Sequence, residues 1–339
     1  MKVRHAMLLL FVLLPLVCNA EIRLPHVLSD HAVLQRERPI HIWGWASPFD
    51  MIRVLFHEQS VETKADGFGT WEVWLKPEEA GGPFTLTISD DKNTDKLLRT
   101  DILVGDVWIA SGQSNMEMPL NGFSPEVRVK DGDKEIAAAN QPMLRLLIQK
   151  RRASPVALED TDDSWMRCTP ETAKQFSAVA YSFGRKIAKK EHVPIGLIDM
   201  TWGGTPAHSW ISPEGIGYAG LQSVAIDGGR IAREQGHADR LRAIFAQEDA
   251  AFAEAGKPVN TRGRIPNDHG GSWTPGTLYN GMVAPYVAYA IKGVIWYQRR
   301  NRCDTRSSSK LCKGVFCTNP RLASTMGPGP ISILVRADF

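Results

Sequence analysis

The sequence predicts an α/β protein, a parallel sheet flanked by helices and preceded by a small antiparallel β-sandwich. Two observations carry this. As far as about Ile102, short runs alternate apolar and polar residues and are divided by turn chemistry. After Asp106, longer apolar runs alternate with amphipathic stretches, the pattern of a parallel sheet with crossover helices.

In chain order, the first twenty residues read as a secretory signal. Lys2 and Arg4 precede an apolar run from Met7 to Val17, and Cys18-Asn19-Ala20 ends on a small residue. The run is too short to span a bilayer, so stable membrane insertion is not expected. Lipid attachment at Cys18 is disfavoured by Pro15, which stands where a leucine is wanted. The mature chain is expected to begin near Glu21 and to be secreted or periplasmic.

Residues 21–104 form the expected sandwich domain. Ile40–Trp45, Ile52–Phe56, Thr70–Leu75 and Phe84–Ile88 read as strands, with Asp66-Gly67, Gly81-Gly82-Pro83 and Asp90-Asp91 as turns. Their aromatic residues, Trp43 among them, suit the core and faces of a sheet; contact with a sugar is the other reading. Residues 105–298 form the expected α/β domain. Val107–Ala110 is its first strand and Met143–Ile148 its second. Ala178–Lys190 is an amphipathic helix, and Pro194–Asp199 is the strand that closes a right-handed unit. A second helix is expected over Arg233–Ala255 and a further strand from Gly293.

Charge and cysteine usage set the last segment apart. The formal charge of +3 divides into +2 in the first twenty residues, −5 in the body and +6 in residues 299–339. A mildly acidic body carries no nucleic-acid footprint. Cys303, Cys312 and Cys317 lie in the tail and Cys18 in the signal, which leaves Cys168 alone, with no metal-ligand spacing. No metal or other cofactor is expected.

In open α/β sheets, ligands bind where strands end at their carboxyl termini. Three such ends carry polar or flexible residues: Gln113-Ser114-Asn115 after the first strand, Trp202-Gly203-Gly204 after the third, and Gln298 after the last. A serine at such an end presents its hydroxyl, and neighbouring backbone N–H groups can hold an oxyanion. The surroundings are not a G-x-S-x-G elbow, because Met116 occupies the second glycine position. Together these ends describe an acyl-transfer site without a metal.

The blocks "SGQSNMEMP", "GLIDMTWGGTPAHSWIS" and "LYNGMVAPYVAYAIKGVIWYQ" resemble those of the sialate O-acetylesterase family, carbohydrate esterases of the SGNH-hydrolase superfamily. "LSDHAVLQRERPIHIWGWA" and "DILVGDVWIASGQSNM" fit the same family, and the likeness runs from about Leu24 to Gln298. The resemblance implies a three-layer α/β/α fold and removal of O-acetyl groups from sialic acid or other acetylated glycans. It implies Ser114 as nucleophile, with its own N–H and that of Gly203 or Gly204 as the oxyanion hole. Gln113, Asn115, Trp202, His208, Trp210, Asn280 and Gln298 become candidate substrate contacts.

The chain departs from that pattern after Gln298, where the family continues with Gly-Glu-Ser and later supplies the Asp and His of a triad. None of the nine histidines follows His269, so no triad Asp or His is assigned. The tail 299–339 fits a one-nucleotide shift of reading frame after Gln298, a true basic extension being the alternative. Such a tail is expected to be disordered and the incomplete esterase domain impaired. His208 and His269 are the residues that would have to replace the missing base. A non-catalytic glycan-binding protein and a non-functional fragment are the rival readings; the oligomeric state is open.

Overall fold

The computed structural model describes residues 21–91, 95–218, 270–298 and 332–336. Its N-terminal part is antiparallel. After β1 (Val33–Gln35) come β2 (Ile40–Trp45), β3 (Met51–Phe56), β4 (Gln59–Lys64), β5 (Thr70–Leu75) and β6 (Gly81–Asp90). β3 pairs with β4 and β6, and β2 pairs with β5 as a separate two-stranded ribbon. Alternation explains the ribbon, since Ile40 and Ile42 on β2 and Trp71, Val73 and Leu75 on β5 are buried, with their sequence neighbours facing outward.

β7 (Lys96–Gly112) joins this part to the rest without a break. Its first half runs antiparallel to β6; its second half lies between two parallel strands. There follow α1 (Ser114–Glu117), α2 (Gly132–Ala137), β8 (Gln141–Ile148), β9 (Met166–Cys168), α3 (Pro170–Ala173), α4 (Ala178–Glu191), β10 (Ile195–Thr201), α5 (Pro213–Tyr218), β11 (Gly293–Tyr297) and β12 (Ser332–Arg336). β10 is parallel to both β7 and β8, and β11 is parallel to β7 and β12. β9 closes one edge antiparallel to β8.

The parallel sheet is buried on both faces. Trp108 and Ala110 of β7 pack with Leu144, Leu146, Ile195, Leu197 and the α4 residues Ala180 and Tyr181. Val107 and Ile109, one residue out of phase, join Leu147, Ile198, Met200 and Trp296. α4 begins where the Ser177 hydroxyl accepts from Ala180 N–H at 3.1 Å. It ends at His192, whose φ of 55° is left-handed, with Lys189 and Lys190 in its last turn. Among the described residues, the face opposite α4 is covered by the segment Leu278–Ile291 and by the N-terminal strands.

The boundary expected at 104/105 falls inside β7, which carries the antiparallel strands into the parallel sheet. One hydrophobic cluster also holds Ile42, Val54 and Trp71 together with Val107, Ile198 and Trp296. Within the tail expected to be disordered, β12 pairs with β11 from Gly293↔Ser332 to Tyr297↔Arg336. The segment that follows Gln113 is helical for one turn only, which ends at Glu117 before Pro119. The helix expected over Arg233–Ala255, His269 and tail residues 299–331 lie outside the described residues. No helix among those described is long and apolar enough to cross a membrane.

Candidate active site

Strand register assembles the site. Gly112 of β7 is level with Thr201 of β10 and with Tyr297 of β11. The residues that follow, Gln113-Ser114, Trp202-Gly203 and Gln298, therefore leave the sheet at one height. Backbone bonds hold the three exits together, with Gln113 N–H donating to Tyr297 O and Trp202 N–H to Gly112 O, each at 3.2 Å. Gly112 makes the crossing possible. Its φ is +135°, and a Cβ there would stand 2.2 Å from the Tyr297 carbonyl oxygen.

Ser114 opens the single turn α1. Gln113 is extended, and its carbonyl accepts from Met116 N–H at 2.8 Å and from Glu117 N–H at 3.0 Å. Buried Met116 anchors the turn in the core. Its carbonyl accepts from the Ser177 hydroxyl at 2.6 Å, and Ser177 N–H in turn donates to Asp199 Oδ2 at 3.2 Å. Asp199 also accepts from the Thr201 hydroxyl at 2.7 Å, and burial pushes its pKa up to about 7. A buried chain of hydrogen bonds thus runs from β10 through the N-cap of α4 to the serine turn.

The Gly203 turn lies over the serine. A Cβ on Gly203 would stand 3.5 Å from Ser114 Cβ and 3.6 Å from its Cα. The Gly203 N–H is already engaged, since it donates to Glu117 Oε2 at 2.9 Å. This corrects the expectation of a free amide at Gly203. Gly204, with φ of +78° and open space where a Cβ would be, retains room for a ligand. Glu117 also pairs with Arg151, whose guanidinium lies 5.9 Å from the Trp202 ring centre. The sequence reading missed Glu117 and Arg151. A signal for the former was available, because Glu117 stands three residues after Ser114 on one helical turn and so shares its face.

The other candidates divide. Gln113, Trp202 and Gln298 are placed at the strand ends, Gln298 donating to Thr205 O at 3.1 Å. Asn115 is on α1, half-buried. Trp210 turns inward: it is fully buried, donates to the Thr205 hydroxyl at 3.0 Å and meets Trp296 edge-on. His208 is buried too, Nε2 donates to Trp273 O at 3.0 Å, and burial pulls its pKa down. Half-buried Asn280 donates to Ser154 O at 3.3 Å and ties two loops. In each case a polar atom turned into the fold finds a partner there.

His26, His31, His41 and His57 pair with Asp160, Asp101, Glu72 and Glu78. No histidine among the described residues hydrogen-bonds the Ser114 hydroxyl. No cluster of metal-ligating side chains occurs among them either.

No family model matches the chain. It is 28% identical to the sialate O-acetylesterase of Rattus norvegicus over 309 residues, covering 86% of this chain and 54% of that protein. With the Homo sapiens sialate O-acetylesterase it shares 28% over 333 residues, covering 90% and 55%. Its structure superposes on a carbohydrate acetylesterase from Xanthomonas citri with a TM-score of 0.69 and 29% identity, covering 93% of this chain and 60% of that one. The chain is a homologue of the sialate O-acetylesterases. It spans about half the length of the curated sialate O-acetylesterases it matches.

Proposed function

We propose that this chain is built as a secreted carbohydrate esterase that removes O-acetyl groups from sialic acid or other acetylated glycans. The observation that supports this is the close approach of the Gly203 turn to Ser114 at the common end of three parallel strands, in a chain similar to O-acetylesterases. Ser114 Oγ attacks the acetyl carbonyl carbon while a base takes its proton. The tetrahedral oxyanion is held by the N–H groups of Ser114 and Gly204. The sugar oxygen then leaves as a hydroxyl and the acetyl group stays on Ser114. Water hydrolyses that ester and releases acetate.

Among the described residues no histidine stands as the base. The described histidines are committed elsewhere or exposed at a helix end, and no histidine follows His269. Loss of one triad member costs several orders of magnitude in rate. The chain as written is therefore expected to hydrolyse a chromogenic acetyl ester barely above background. The chain re-read one base later after Gln298 is expected to turn over and to lose that activity on Ser114→Ala. Fluorophosphonate labelling of Ser114, mapped by mass spectrometry, follows the same order. Turnover by the chain as written that survives Ser114→Ala would sink the proposal.

A further inference from the structure

The face of the β2–β5 ribbon opposite Ile40, Ile42, Trp71 and Val73 carries three stacked rings, two of them partly covered and Trp74 half-exposed, that the ester chemistry does not use. His41 lies directly across from Trp74, ring centres 4.2 Å apart and planes 9° from parallel. Two residues along β2, Trp43 covers the other side of His41 at 4.8 Å and 18°. The imidazole between them is clamped. Nε2 meets Glu72 Oε2 at 2.8 Å and Nδ1 meets Ala288 O at 3.2 Å. The two contacts fix the imidazole in place between its neighbours.

The column fixes Trp74 while leaving it accessible. Its side is 49% exposed although one ring face rests on His41, so the open area is the opposite face and the edges. A cross-strand aromatic pair stabilises a ribbon; it does not require a half-exposed indole held flat against a clamped neighbour. Such a plane matches the apolar C–H face of a pyranose, and little side-chain freedom is lost when it binds. The exposed Glu72 carboxylate beside it accepts hydroxyl hydrogens and repels sugar carboxylates.

We infer that Trp74, seated on His41 and Trp43 with Glu72 alongside, is a stacking subsite for uncharged pyranose units of a glycan chain. The subsite is separate from Ser114. Ala288, which bonds His41, precedes β11, and the five residues of β11 carry the sheet about 15 Å further to the level of Gly112. A glycan held at Trp74 raises its effective concentration at the esterase site. The choice of a sugar as ligand rests on the esterase reading; the geometry of the platform does not.

The test titrates the full chain with xylohexaose, cellohexaose, mannohexaose and 3′-sialyllactose, following calorimetry and tryptophan fluorescence. At least one neutral hexaose is expected to bind more tightly than sialyllactose. Trp74→Ala should weaken it by about tenfold or more, and Trp74→Phe, a smaller ring in the same place, by about threefold. Ser114→Ala should leave hexaose affinity within about twofold. Thermal melts that match the parent establish that the Trp74 variants fold. Failure of all three hexaoses to bind, or equal binding by Trp74→Ala, overturns the inference. Intact, Trp74-dependent binding alongside a Ser114 that stays unreactive even in the chain re-read one base later after Gln298 counts against the esterase reading alone.

Discussion

Glu117 and Gly203, 86 residues apart in the chain, are joined by a hydrogen bond of 2.9 Å from the glycine N–H to the carboxylate. The bond ties the serine turn to the glycine turn, with Arg151 on the other carboxylate oxygen. A charge-assisted bond of this kind contributes about 1.5–3 kcal/mol. Glu117→Ala should therefore speed hydrogen exchange at the Gly203 amide by about 10–100-fold and, in the chain re-read one base later after Gln298, slow fluorophosphonate labelling of Ser114. Glu117→Gln keeps an acceptor oxygen and should restore most of both. Unchanged exchange at Gly203 in Glu117→Ala would show that the turn holds itself.

Gly112→Ala tests the crossing of the three strand ends. The new methyl would sit 2.2 Å from the Tyr297 carbonyl oxygen, on a residue whose φ of +135° disfavours any side chain. The strands must separate or β7 must end early. The loss of stability should be about 2–4 kcal/mol, seen as a lower urea midpoint at constant slope. A midpoint within error of the parent would mean that β7 and β11 part there without cost.

How far the sequence carried this far depends on what each residue meets. Val107–Ala110 reads as a strand because a run buried on both faces must be apolar throughout, and each face found its own cluster. α4 reads from its periodicity alone, and the Ser177 cap that fixes its start emerges only in the structure. β4 was missed because Gln59–Lys64 has no buried residue and thus no apolar signature. The continuity of β7 was hidden because Lys96–Asp101 alternates as an edge-like segment before the pattern turns apolar. The site divides likewise. Ser114, Trp202 and Gln298 follow from strand ends, whereas Trp210 and His208, only a few residues beyond Gly204, turn inward. Their burial is set by Trp296, Thr205 and Trp273, contacts that no local pattern announces.

Cys168 offers a test of the core beside α4. The thiol is buried, donates to Ala139 O at 3.3 Å, and has its pKa pushed up to about 12 by burial. Thiolate is the reactive form, so iodoacetamide at pH 8 should leave Cys168 unmodified in the folded chain and alkylate it in urea. Mass spectrometry resolves it from the other cysteines. Rapid labelling at Cys168 under native conditions would place β9 and α3 outside the stable fold.

Asp199 makes stability depend on pH in an unusual direction. Burial raises its pKa from an ordinary 3.8 to about 7, outweighing the bonds from Thr201 and Ser177. Between those values the folded chain binds the proton more strongly than the unfolded one, so this carboxyl's contribution falls as pH rises from about 4 to 7 and then levels. The full change is at most on the order of 4 kcal/mol. Asp199→Asn, uncharged throughout and able to keep an oxygen on the Ser177 N–H with its amide donating to the Thr201 hydroxyl, should lose that slope. Urea unfolding at intervals from pH 4.5 to 7.5 gives the comparison, as a difference between parent and variant. Parallel curves for the two would mean that Asp199 is ionised in the folded chain across the range, and that the link from β10 to the serine turn is held by a charge.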